Sequence, residues 1–343
     1  MQRVEGLTER QARVLEAIVQ QYIETAEPAP SGSVARRCRL GISSASVRIT
    51  MGELEASGYL FHPHASSGGV PTDRAYRAYV DGLMRHEPPS ERERERLATE
   101  VVSGGAIEEI LRRAAQVLGV LTQELGVAVT PLLDQAVLER LELVRVSSER
   151  LLVVLTLESG FVRTIFLEVP STVAAEVVDR VARVLNERLA GLPLGEIRAS
   201  VAERLRDADS GPEGSQLFNV FVEQREGVFD ARPDDGLVLG SSRQLAEQPE
   251  FASNGRIRGL LELTERRDLL QTALEAHRQR GLTITIGTEN RDPSLSQFTL
   301  VTASYRRGEL AGVVGVLGPT RMPYQKVIGL VEHTSRLVEG LLT

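Results

Sequence analysis

The chain has 343 residues, 42% of them hydrophobic and 25% charged, a balance that supports a full buried core and excludes disordered and fibrous classes. A net charge of −7 argues against non-specific polyanion binding over the whole surface, and the length predicts two or three domains at roughly 100–200 residues each. The longest apolar stretches fall short of the ~20 residues that cross a bilayer, residues 1–6 carry no apolar leader, and a lone Cys38 can close neither an internal disulfide nor a zinc cage. A cytoplasmic protein with no membrane partner is expected.

Charge is unevenly distributed. Residues 1–85 hold ten Arg and nine Asp or Glu, net +1, so the remainder carries −8. The N-terminal cations cluster at Arg36, Arg37, Arg39 and Arg48, which places any nucleic-acid contact there. Thr8-Glu9-Arg10-Gln11 has the form of a capping box, and Val14, Leu15, Ile18, Val19, Tyr22 and Ile23 make one apolar stripe on a helix reaching about Glu24. Glu27-Pro28-Ala29-Pro30 cannot continue it, because proline lacks the amide hydrogen. Ser31 then caps a short second helix through Cys38, and after Leu40-Gly41-Ile42, Ser43 caps a third that ends at Gly58. Helix, break, helix, turn, helix is a helix-turn-helix pattern.

In the third helix Val47, Met51 and Leu54 share an inward face, while Ala45, Arg48, Ile49 and Gly52 project outward. Such a small, nearly uncharged flank permits close approach in a major groove, where one Arg can bridge guanine O6 and N7; the other reading is a solvated helix face. Tyr59-Leu60-Phe61-His62, the polar loop Pro63–Gly69 and Val70 read as strand, loop, strand, the form of a wing. The candidate DNA-contacting set is Arg36, Arg37, Ser43, Ser44, Ala45, Ser46, Arg48, Ile49, His64, Ser66 and Ser67. His62 and His64 lack a nearby carboxylate or Cys partner in sequence, so no metal site is expected. Thr72 or Asp73 caps a further helix, with Tyr76, Tyr79, Val80 and Leu83 on one face, leading to Met84.

These residues resemble the heat-inducible transcription repressor family HrcA. The resemblance is carried by Leu7–Gln11, Tyr22–Thr25 with Glu27-Pro28, Ser43–Arg48, Glu53–Glu55 with Gly58–Leu60, and Val70–Arg74. It resumes at Gln248–Phe251, Ile286-Gly287 with Glu289-Asn290, Thr302–Tyr305 and Gly315–Tyr324, so it runs essentially end to end. Two departures touch the contact surface. Ile49-Thr50 stand where the family usually has Asn-Asp, and Ser66-Ser67-Gly68-Gly69 where it usually reads Ser-Ala-Gly-Arg. Loss of that cation at Gly69 predicts lower affinity and a shallower salt dependence.

Downstream, Pro88–Leu97 reads as a charged linker whose Glu91–Arg96 run is a solvated helix start or connector, and Ile107–Leu125 as a buried helix. Strands are expected at Val127–Val129, Val137–Val146, Leu151–Leu157 and Phe161–Val169, the last two joined by the turn Glu158-Ser159-Gly160. A helix from Thr172 to Leu189, strands at Leu282–Ile286, Phe298–Tyr305 and Leu310–Leu317, and a closing helix from Pro323 to Leu342 complete a sheet covered by helices on both sides. The Gly-, Pro- and Asp-rich interval from Leu192 to Asn254 reads as an insertion.

The resemblance implies an α+β multidomain chain: a winged-helix DNA-binding domain (1–86), a linker (87–103), a GAF-like domain in two parts (104–191 and 255–343) and an inserted dimerising domain (192–254). It further implies a homodimer on an inverted-repeat (CIRCE-type) operator in double-stranded DNA before chaperone genes, and dependence on the GroEL chaperonin. No enzyme and no cofactor are expected. Gly312–Gly318 lacks the GKS or GKT ending of a phosphate loop, and Ser241-Ser242, Asp268 and His277 have no nucleophile elbow to orient a serine. Glu289-Asn290-Arg291-Asp292 is read either as a hydrogen-bonded loop or as a ligand site, the latter allowing a small-molecule-responsive regulator.

Overall fold

The structure, a computed structural model, describes residues 6–38, 41–64, 67–101, 107–131, 133–169, 173–208, 211–229, 236–252, 254–308 and 310–342. It begins with α1 (Glu9–Thr25), α2 (Ser31–Cys38) and α3 (Ser44–Ala56), followed by the short antiparallel pair β1 (Leu60–Phe61) and β2 (Val70–Pro71). The capping box forms as the sequence implies: the Thr8 amide donates to Gln11 Oε1 at 2.9 Å and the Gln11 amide donates to Thr8 Oγ1 at 3.3 Å. Gly58 adopts φ +75°, the left-handed geometry that lets the chain leave α3 and enter β1. Thr72 caps α4 (Asp73–Ala78), which continues into a π-helical turn over Tyr79–Leu83.

The expected linker at 87–103 is largely a helix. Ser90 accepts from the Glu93 amide, Glu93 Oε2 accepts in return from the Ser90 amide at 2.9 Å, and α5 (Glu91–Val101) follows. Its Glu-Arg alternation hides the apolar edge formed by Leu97 and Val101, both fully buried where α5 packs on α6 (Ile107–Thr122).

A five-stranded antiparallel sheet lies at the centre. Its strands are β3 (Leu125–Val129), β7 (Leu237–Leu239), β8 (Leu282–Ile286), β9 (Phe298–Arg307) and β10 (Leu310–Pro319), in the order β7-β3-β10-β9-β8. All ten residues of β10 are buried, because α6 and α14 (Tyr324–Leu341) cover one face while α13 (Arg267–Glu275) covers the other. The side chains divide with period two: Val314 and Val316 join the first layer, Val313 and Leu317 the second. Gly312 and Gly315 are required by this packing rather than by a ligand. A Cβ at Gly312 would sit 2.2 Å from the Tyr305 ring, and one at Gly315 would sit 2.2 Å from the Val301 carbonyl oxygen.

A second core differs from the expected division. Strands β4 (Leu138–Arg145), β5 (Arg150–Leu157) and β6 (Val162–Glu168) form a separate three-stranded antiparallel sheet. Its inner face, including Leu141, Val153, Leu155 and Leu167, packs with α7 (Ala175–Leu189), α8 (Leu194–Arg204), α9 (Gly211–Glu223) and α10 (Arg225–Phe229). This core therefore spans the expected boundary at Leu192 and runs to Phe229, joined by Leu310 of β10, whereas β7, inside the expected 192–254 segment, pairs with β3. Hydrophobic period marks which side of β4–β6 is buried but carries no information about which helices bury it. The short helices α11 (Arg243–Ala246) and α12 (Asn254–Glu265) complete the chain. No helix among the described residues is long and apolar enough to cross a membrane.

His277, two residues past the end of α13, is 5% exposed, with Nδ1 at 2.9 Å from Thr302 Oγ1 of β9. Burial, aided by the charge of Arg280, pushes its pKa down from 6.5 to about 4. The unfolded chain thus binds this proton first, and the associated stability, complete above pH 6.5, is lost as pH falls toward 4. Thermal unfolding across that window should show a shallower loss of stability in His277→Gln than in the parent chain.

Candidate nucleic-acid interface

The N-terminal module presents one flank of α3 to solvent. Ser43 fixes the start of the helix by accepting from the Ser46 amide at 3.2 Å, and its hydroxyl lies 3.1 Å from that of Ser46. Val47, Met51 and Leu54 are buried as their spacing predicts, and Ser44, Ala45, Arg48, Ile49 and Gly52 are exposed. Ile49, 64% exposed, is an apolar side chain with no folding partner to justify its place. Thr50, the other departure, is fully buried and donates its hydroxyl to the Ser46 carbonyl at 3.2 Å; it serves the helix rather than the surface. Arg48 makes no ion pair or hydrogen bond among the described residues.

A groove of about 710 Å³ runs beside this flank, lined by Arg48, Gly52, Glu55 and His62, by Ser67 and Gly68 of the β1–β2 loop, and by Ser31 at the start of α2. The loop is pinned across the module by paired hydrogen bonds between Ala29 and Gly69, the Ala29 amide donating at 3.0 Å and the Gly69 amide at 3.1 Å. Gly68 is forced by this approach, since a Cβ there would lie 2.3 Å from the Ala29 carbonyl carbon. Gly69 is buried as well, and a Cβ would meet Met51 Cε at 3.0 Å and Leu60 Cδ1 at 3.3 Å. The missing wing cation is thus not a simple vacancy: an arginine at 69 has to displace the flexible end of Met51.

The other candidates divide. Arg36 is exposed and makes no ion pair or hydrogen bond among the described residues. Arg37 is occupied instead by Glu24, to which its guanidinium donates two hydrogen bonds, one at 2.8 Å; that pairing raises the Arg37 pKa. Ser67 is also engaged, donating to the His64 carbonyl at 2.6 Å and accepting from the His64 amide at 3.0 Å, so it closes the loop turn. The His64 side chain is exposed, and Ser66 lies outside the described residues. His62 does have a carboxylate neighbour, Glu55 Oε1, 2.9 Å from its Nδ1. Neither the Glu24–Arg37 pair nor the Ala29–Gly69 bridge follows from local spacing. The Gly68-Gly69 doublet was the available sign of a close backbone approach.

The loop read as a possible ligand site is spent internally. Asn290 Nδ2 donates to the carbonyls of Gly287, Leu295 and Phe298, Glu289 pairs with Arg77, and Asp292 accepts from the Ser294 amide at 2.8 Å.

Together these features define a multidomain α+β chain in which a three-helix module with a pinned β-loop offers a small-residue helix flank beside a polar groove. The family description "HrcA protein C terminal domain" matches residues 108–328. The heat-inducible transcription repressor HrcA of Chlorobium chlorochromatii is 36% identical, with 98% of each chain covered, and that of Chlorobium phaeobacteroides strain BS1 is 38% identical over 95% of this chain and 96% of the relative. The same repressor of Syntrophobacter fumaroxidans is 34% identical over 98% and 97%. A crystal structure described as a hypothetical protein at 2.2 Å resolution shares the fold, with a TM-score of 0.64, 22% identity and coverage of 98% and 99%. The chain belongs to the HrcA family of heat-inducible transcription repressors.

Replacing Gly68 by Ala should destabilise the chain by about 1–3 kcal/mol, the usual range for overpacking, measured as a lowered denaturant midpoint. An unchanged midpoint would show that the loop does not need its approach to Ala29.

Proposed function

We propose that the chain is a repressor that binds an inverted-repeat operator as a homodimer, with α3 of each winged-helix module in successive major grooves. The observation that carries this reading is the exposed α3 flank of Ser44, Ala45, Arg48 and Ile49, with Arg48 free of any partner among the described residues. Apart from Arg48, which is there to bond, a flank of small side chains with no internal salt bridge costs little to desolvate against base edges. Ser43 and Ser44 at the helix start, Arg36, and the loop around His64 and Ser67 flank it as backbone contacts. Arg37 contributes only if DNA phosphate displaces Glu24.

Dimerisation is supported by the open face of the three-stranded sheet. Val144, Leu152 and Phe166 form one row across β4, β5 and β6, while Val162 lies further along the same side. Val144, Val162 and Phe166 are each about half exposed, a clustering of apolar surface that a monomer has no use for. A two-fold axis through this face would present the same rows from both copies. Family membership supports a CIRCE-type operator before chaperone genes and maintenance of the active fold by the GroEL chaperonin, which heat would divert to unfolded proteins. This reading requires no catalytic residue and no cofactor.

Fluorescence anisotropy on labelled duplexes, with chaperonin present and absent, tests the reading through preference for a palindromic chaperone-promoter fragment over a scrambled one. Arg48→Ala should cost about 1–3 kcal/mol on operator with little effect on scrambled DNA. Equal losses on both would reduce Arg48 to a phosphate contact. In sedimentation, Phe166→Asp should shift the chain from dimer to monomer at micromolar concentration. A dimer that survives this change places self-association elsewhere.

A further inference from the structure

Several segments that carry the family resemblance lie away from the α3 flank: Val70–Arg74, Gln248–Phe251, Ile286-Gly287, Glu289-Asn290 and Gly315–Tyr324. They meet at one joint, where the N-terminal module sits against the five-stranded sheet. Helix α4 forms the module's side of it. Asp73 Oδ2 accepts from the Thr288 amide at 2.9 Å and from the Thr288 hydroxyl at 3.0 Å. One turn along α4, Arg77 donates through Nε to Glu289 Oε1 at 2.8 Å and through NH2 to the Ile284 carbonyl at 2.7 Å. Gly287 is the only residue type that fits between them: its φ is +53°, and a Cβ would lie 2.2 Å from Asp73 Oδ2.

A second grip lies on the other side of Tyr76. Arg321 donates to the Ile23 carbonyl at the end of α1 at 2.6 Å and forms a two-pronged pair with Glu250, one prong at 2.9 Å; the two side chains are only 14% and 20% exposed. Between the grips, the Tyr76 and Tyr324 rings pack with centroids 5.8 Å apart. The segment leaving α4 is also seated, since a Cβ on Gly329 of α14 would lie 2.2 Å from the Glu87 carbonyl oxygen, and Lys326, the chain's single lysine, pairs with Glu93 at 3.2 Å.

We propose that Asp73, Arg77 and Arg321 are positioning residues for operator recognition, fixing the module on the sheet domain so that the dimer accepts one half-site spacing. The proposal rests on the dimeric operator-binding reading above. Each added base pair moves a half-site about 3.4 Å along the duplex and about 34° around it. A module hanging on a slack tether would follow such a change, whereas one held at two separated grips cannot follow while both hold, and can pivot about one once the other is lost. The family-like segments outside α3 thereby acquire a role in recognition without touching DNA.

The test uses the full chain and the Asp73→Ala, Arg77→Gln double variant on duplexes with identical half-sites and spacers altered in single base-pair steps, with a single-half-site duplex as control. The parent should lose about tenfold or more in affinity for a one-base-pair change in spacer, following the cost of a mismatched site. The double variant should flatten that profile to within about threefold, keep the parent's affinity for the single half-site, and exchange its Thr288 amide faster in hydrogen–deuterium exchange. Glu289→Gln, which keeps side-chain volume, provides the same readout if the double variant does not fold. A parent-like spacer profile with unchanged exchange overturns the joint alone. Failure of the parent to discriminate operator from scrambled DNA overturns the proposal together with the dimer reading beneath it.

Discussion

The apolar stripe of α1 is buried in the same cluster that covers one face of the five-stranded sheet. Val14, Leu15 and Ile18 share one buried cluster with Tyr76 and Tyr79, with Leu111 and Leu118 of α6, and with Val301, Val314, Val316, Tyr324 and Val331. A fully buried Leu or Val contributes roughly 1.5–3 kcal/mol relative to exposure, so many such side chains shared across the boundary outweigh any single ion pair at its rim. The three-helix module is consequently packed into the body of the protein. The core supplies most of the attachment, and the polar grips at Asp73, Arg77 and Arg321 set the angle within it.

That shared core leaves two surfaces to face the outside with unusual composition. One is the α3 flank, small and almost without charge although the chain is rich in arginine. The other is the open face of β4–β6, whose opposite side is consumed by α7–α10. The acidic remainder keeps most of the surface unattractive to polyanions, which favours the module, where the acids and bases nearly balance, as the proposed nucleic-acid contact. The proposed repression as a dimer needs these two surfaces on one rigid frame.

Much of this frame was legible from periodicity and capping. Thr8 and Gln11 announced α1, Ser43 and Gly58 bracketed α3, and β8 begins and ends at Leu282 and Ile286, where the apolar run does. Period-two and period-3.6 patterns report burial by neighbours of any kind, so they mark the N-terminal helices, α6, α7, α14 and every longer strand, while α8–α13 and β7 carry no expectation from the sequence. They could not report identity of the neighbour. The inner face of β5 reads the same whether α6 or α8 covers it, so the expected insertion at 192–254 begins well after the first strand of the second core. The extent of α5 is hard to read because its two buried side chains, Leu97 and Val101, are a weak stripe within a run of Glu and Arg. At the candidate site, outward positions on α3 were read correctly, whereas the capture of Arg37 by Glu24 and of Asp73 by Thr288 was not. Partners 13 and 215 residues apart leave no local spacing to detect.

Hydroxyl-radical footprinting of the full chain on a chaperone-promoter palindrome tests the central claim most directly, because it reports groove, symmetry and spacing together. Two short protected patches, centred about one helical turn or a multiple of it apart and related by the palindrome's dyad, are the pattern two fixed α3 helices must leave. Protection of a single half-site, or uniform protection that slides with fragment length, would contradict a rigid dimer reading bases through α3.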